Sequence, residues 1–119
     1  MKNLVHTLYK GEVGKIIQFN DIADANGTID LSDYTVTMSL ERKGTVTVDD
    51  AVVTKRNQVT HRGDAYYEWD ATTANIAIGE HLGNVKLVRT ADPTKKLYFP
   101  CDAQGGRTYF KVIVRKPID

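Results

Sequence analysis

A chain of 119 residues with 41% hydrophobic and 26% charged residues has the size and composition of one globular domain, which excludes a disordered chain. A net charge of +1 excludes the strong basic excess of a dedicated nucleic-acid binder. One cysteine, Cys101, excludes an internal disulfide, and no apolar run reaches the roughly 18 residues of a membrane span.

The first eleven residues, MKNLVHTLYKG, read as an N-terminal arm or edge strand preceding a domain over residues 12–119. Lys2, His6 and Lys10 break the apolar stretch, so it does not have the hydrophobic region of a signal peptide. Leu4, Val5, Leu8 and Tyr9 are the apolar anchors such an arm would offer to another chain.

KIIQFNDI is β-rich, and DANG supplies turn residues after it. YTVTMSLE alternates strictly, with Tyr34, Val36, Met38 and Leu40 on one face and Thr35, Thr37, Ser39 and Glu41 on the other. That period of two predicts a half-buried strand. TVTVDDAVVTKRN reads as a hairpin-like pair of short strands, broken or bulged at Asp49-Asp50, and HRGD reads as a turn. AYYEWD predicts a strand with Tyr67 and Trp69 on one side. ATTANIAIG is the one helical segment expected, of a turn or two, stopping at Gly79. GNVKLVRTA, KLYFP and RTYFKVIVRK close the chain as strands, the last with Phe110, Val112 and Val114 facing the core. Strands at regular intervals with turn signals between them predict an all-β antiparallel sandwich or barrel.

No catalytic, cofactor or metal motif emerges. Asp24, Asn26, Asp30 and Asp33 are oxygen donors, but Gly27 and Thr35 fall where an EF-hand loop needs other residues, so a turn is expected there. His6, His61 and His81 lack zinc spacing and read as surface or loop residues. Arg62-Gly63-Asp64 reads as a tight turn, and DAQGGR as a hairpin loop without the context of a phosphate loop. Tyr66, Tyr67, Trp69, Tyr98 and Tyr109 would line a glycan-binding face if exposed, and otherwise form core.

Charge is unevenly distributed. Residues 21–50 carry seven acids against two bases, and residues 86–116 carry eight bases, Lys95 and Lys96 among them, against two acids. One expectation from this split is a head-to-tail contact between an acidic edge of one copy and a basic edge of the next.

The order of features from Phe19 onward, DANGTIDLSDYTVTMSLERKGTV, resembles the N-terminal module of phage baseplate upper proteins and related tail and fibre proteins. The positions that carry the resemblance are Gly27, Asp30-Leu31, Tyr34-Thr35-Val36 and Gly44, followed by YYEWD, GNVKLV, YFP and FKVIV, over residues 12–116. The resemblance implies a single immunoglobulin-like β-sandwich with at most one short helix. It further implies a non-enzymatic virion structural protein, made in the host cytoplasm, acting as a small assembly or adaptor subunit in a tail, baseplate, fibre base, neck or head decoration. Its expected partners are other virion proteins and copies of itself, with no nucleic acid, membrane or cofactor. The expected contact residues are Leu4, Val5, Leu8, Tyr9, Lys95 and Lys96. The alternative is a carbohydrate-binding sandwich module.

Overall fold

A computed structural model describes residues 5–24, 26–100 and 109–118. Leu4, Cys101 and the DAQGGR loop lie outside the described residues. The strands are β1 (Val5–Tyr9), β2 (Ile16–Phe19), β3 (Ala23–Asp24), β4 (Gly27–Thr28), β5 (Tyr34–Arg42), β6 (Thr45–Val52), β7 (Thr54–Lys55), β8 (Ala65–Glu68), β9 (Gly79–Arg89), β10 (Lys96–Phe99) and β11 (Phe110–Arg115).

One sheet of six strands runs β1-β11-β9-β5-β6, with β10 paired to the far half of β9, and the other runs β2-β8-β7. β3 and β4 form a two-residue ladder around the DANG turn, where Gly27 takes φ 109°. With β2, β8 and β7 in one layer and β11, β9, β5 and β6 in the other, the strand order is that of an immunoglobulin-type sandwich. The ladders are antiparallel except one: β1 runs parallel to β11, with Val5 opposite Lys111 and Tyr9 opposite Arg115.

The alternation read in β5 is borne out. Val36, Met38 and Leu40 are buried, while Thr37, Ser39 and Glu41 lie on the other face, half exposed. They share one core with Phe19, Trp69, Phe110, Val112 and Val114. Across the two layers, Phe19 of β2 meets Phe110 of β11 with ring centroids 5.4 Å apart. Tyr67 stands edge-on to Trp69 at 5.3 Å.

Gly83 makes room for this core. It lies between Leu40 and Phe110 in the cross-strand registers. A Cβ there would sit 2.5 Å from both side chains. The strand tolerates the glycine because its neighbours fill the space that a side chain would take.

The helical segment expected within 71–78, of a turn or two, is a single 3-10 turn, Thr73–Asn75. Other expectations are corrected. TVTVDDAVVTK is not a hairpin: β6 pairs β5 in the large sheet, and β7 pairs β8 in the small one. The chain changes sheet at the buried Val53, whose N–H donates to the Val36 carbonyl at 3.0 Å. The bulge does fall at Asp49-Asp50, between the Met38–Ala51 and Leu40–Val48 pairs, with Asp50 at φ 48°. β9 starts at Gly79, four residues earlier than the pattern GNVKLV suggests.

Truncating Met38 to Ala should cost about 2–5 kcal/mol, because it leaves a void in a closed core. Thr37→Ala on the opposite face should cost less than about 1 kcal/mol. Denaturant unfolding of the two variants checks the register, and equal losses would contradict it.

Candidate functional site

The expected contact residues do not converge. Leu8 is 1% exposed and belongs to the core, so it is no free anchor; alternation along β1 turns it inward while leaving Val5 and Tyr9 outside. Lys95 and Lys96 lie at the β9–β10 turn, at the far half of β9 from the part that pairs with β11. At about 3.4 Å per residue, that half-strand separates them from the β1 edge by roughly 20 Å.

The charge split read along the sequence partly closes within the molecule. Asp50, in the acidic stretch, meets Lys86, in the basic stretch, at 3.0 Å. Its carboxylate also accepts from the Ser39 hydroxyl at 3.3 Å, while the Ser39 oxygen accepts from the Asp50 amide at 3.0 Å. The bulge swings Asp50 back over β5 toward β9, so these charges are spent on the sheet face rather than held for a partner. Lys86 holds the Asp50 carboxyl below the ordinary carboxylate value.

The acidic turn is similarly occupied. Asp30 caps the 3-10 turn Leu31–Asp33, accepting from the Ser32 amide at 3.0 Å and the Ser32 hydroxyl at 2.6 Å. Those bonds lower its pKa. The Asp24 carboxylate accepts from the Asn26 amide at 2.8 Å. Among the described residues, no group of three or more His, Cys, Asp or Glu side chains forms a metal site, and no helix is long and apolar enough to cross a membrane.

His81 corrects the surface reading. It is fully buried at the start of β9; Nε2 donates to the Ala77 carbonyl at 2.7 Å, and Nδ1 pairs with the Thr47 hydroxyl at 2.9 Å. His6 stands edge-on to Phe19 and Phe110. Arg62-Gly63-Asp64 is tied into the fold: Arg62 Nε donates to the Thr28 carbonyl, and the Asp64 carboxylate accepts from the Asp21 amide, each at 2.9 Å.

The aromatic residues form no common face. Trp69 and Tyr67 are buried, and the Tyr67 hydroxyl donates to the Thr73 Oγ1 at 2.8 Å. Arg56 covers the Tyr66 ring at 5.4 Å. Tyr98 is exposed on β10, in the other sheet.

What the fold does assemble is a pair of clefts flanking β7. One, of about 690 Å³, opens between β6 and the end of β8, and its charged lining is Asp49, Glu68 and Asp70. The other, of about 640 Å³, lies beyond Lys55 and is lined by Lys55, Arg56 and Arg62 against a single acid, Asp30. β7 spans only two residues, which leaves this side of the sandwich open. Gln58 shapes the basic cleft: its carbonyl accepts from the Leu31 and Gly63 amides, and its amide donates to the Arg56 and Asp64 carbonyls. The sequence hinted at neither cleft, because their charges come from separate segments that only the sheet switch at Val53 brings together.

No family model matches the chain, and no curated protein matches it either.

The Asp70 carboxylate accepts from the Thr73 and Thr72 amides and the Thr73 hydroxyl, and these bonds hold its pKa below the ordinary 3.8. Asp30 and Asp50 are lowered likewise. A lowered carboxylate stabilises the fold above its ordinary pKa and loses that contribution as pH falls through its folded value. The melting temperature should therefore drop as pH falls from about 5 to about 2. Asp70→Asn keeps an acceptor but does not titrate, so its drop should be shallower. An unchanged slope would contradict the assignment.

Proposed function

We propose that the chain is a non-enzymatic virion structural protein of a phage, an assembly or adaptor subunit that works through protein–protein contacts. The observation that carries the contact mode is the open ends of the six-stranded sheet. β1 and β6 end its main strand path, and both present apolar side chains outward: Val5 and Tyr9 on β1, Val46 and Val52 on β6. The β1 edge bearing valine and tyrosine suits strand addition, and the exposed valines of β6, whose bulge at Asp49-Asp50 interrupts its ladder, suit lateral docking. The setting in a phage particle is supported by the order of motifs from Phe19 to Gly44 and by the immunoglobulin-type strand order that accompanies it.

Glycan binding, the alternative, is less well supported. Its strongest candidate, Trp69, is 1% exposed, and Tyr66 and Tyr98 lie in different sheets.

The N-terminal segment takes a different place in this proposal from a detachable arm. β1 contributes Leu8 to the core and hydrogen-bonds along β11, so its removal would disturb the sandwich itself. Only its outward residues are free to act on a partner.

Mass spectrometry and imaging of purified particles test the role directly: the chain should be present at a stoichiometry set by the particle's symmetry, and its absence would overturn the proposal. In a competition for incorporation, Val5→Asp should lower uptake into particles while changing stability by no more than about 0.5 kcal/mol. Leu8→Ala should instead cost about 2–5 kcal/mol.

A further inference from the structure

The two clefts carry opposite charge, and they lie at opposite ends of one short strand. β7 pairs antiparallel with β8, with Thr54 opposite Tyr66 and Lys55 opposite Ala65. The Glu68 end of β8 therefore lies on the N-terminal side of β7, with Asp49 and Asp70 around the same cleft. On the C-terminal side lie Lys55, Arg56 and Arg62. The acidic cleft has three carboxylates and no lysine or arginine in its lining, Asp70 being bonded to Thr72 and Thr73. The basic cleft has three cations against Asp30, which is bonded to Ser32, and Lys55 and Arg62 donate to the Tyr34 and Thr28 carbonyls, neutral partners that leave their charge uncancelled.

Each cleft also carries one strongly exposed valine. Val52 in the acidic cleft is 75% exposed, and Val59 in the basic cleft is 93% exposed. Acid with valine on one side and base with valine on the other make this edge self-complementary.

We infer that a second copy of this chain docks on the β7 edge about a two-fold axis beside Thr54, each copy seating its acidic cleft against the partner's basic cleft. A two-fold axis exchanges the two ends of the edge, so every carboxylate cluster meets a cation cluster, twice. The same rotation sets Val52 of one copy toward Val59 of the other. A parallel approach of the two edges would set carboxylates on carboxylates, which charge repulsion disfavours. The valines and the cleft walls supply the apolar area, and the charges supply register and encounter rate. A stable contact of this kind covers about 1,200 Å² or more in total.

The arrangement differs from a head-to-tail contact between residues 21–50 and 86–116. It uses charges from both sides of β7 and leaves Asp50 paired with Lys86. It also closes on itself as a dimer, so the β1 edge stays available for a different partner. The inference rests on the reading of the chain as an assembly subunit and names one of its contacts.

A charge-swap series in sedimentation velocity, with circular dichroism to confirm folding, tests it. The full chain should form a dimer that weakens as salt rises and the Debye length shrinks to about 8 Å. Arg62→Glu and Glu68→Lys should each raise Kd at least about ten-fold. The double variant, which restores opposite charges across the axis, should return to within about three-fold of the parent. Val59→Asp, at a site exposed enough to leave the fold intact, should weaken the dimer as well. A parent chain that stays monomeric at about 1 mM would overturn the inference. So would a dimer indifferent to both reversals, or a double variant as weak as the singles. A monomeric chain that is nonetheless found in purified particles overturns this contact alone, whereas a dimer absent from particles overturns the virion role alone.

Discussion

The contact between Phe19 and Phe110 joins the two layers, and the rest of the sandwich is arranged to permit it. Phe19 closes β2, the outer strand of the small sheet; Phe110 opens β11, between β1 and β9 in the large one. Immunoglobulin-type domains commonly bind their layers with a disulfide between the strands equivalent to β2 and β9. A chain with one cysteine cannot do that, so aromatic burial performs the task. The solution imposes a condition on β9: Phe110 needs space, and Gly83 supplies it by having no side chain. Leu40 enters the same space from the other neighbour, so three strands are locked in register around one missing Cβ.

A second constraint shapes the surface. The chain must leave the large sheet to complete the small one, and it does so within a single residue, Val53. β7 is correspondingly brief, and the sandwich cannot close along that side. The interior there is lined instead by the backs of β6 and β8 and by the loop that Gln58 holds in place. The same side carries the two clefts of opposite charge, which makes it the most distinctive surface among the described residues. The free edge of β6 is blunted by the bulge at Asp49-Asp50, where Asp50 turns away toward Lys86. The proposed two-fold contact uses the edge that the brief β7 leaves open.

Much of the fold was legible in local patterns. β5, β8 and β11 alternate cleanly, and each buries the face its sequence marks as apolar. The early start of β9 was hidden because GEHLG contains glycines and a histidine; those residues join the strand only because β11 covers His81 and Gly83 from the side. The sheet switch was invisible because AVVT continues an apolar pattern while the backbone changes partners. His81 read as a loop residue since nothing local announces that Thr47, distant in sequence, will meet its ring. The candidate surface was the least legible feature. Linear charge counting grouped Asp50 with the acids and Lys86 with the bases, yet the sheet lays them side by side. The cations of the basic cleft, Lys55, Arg56 and Arg62, sit in a stretch that the charge count passed over.

A protein that works through its edges should show concentration-dependent change at those edges and nowhere in its core. Amide chemical shifts recorded over a dilution series test this most directly. The proposed contact predicts shifts that move together at Val52, Thr54, Lys55, Val59, Arg62, Glu68 and Asp70, while Met38, Val85 and Val112 stay fixed. Shifts that move mainly along β1, or a spectrum that does not change with concentration at all, would contradict it.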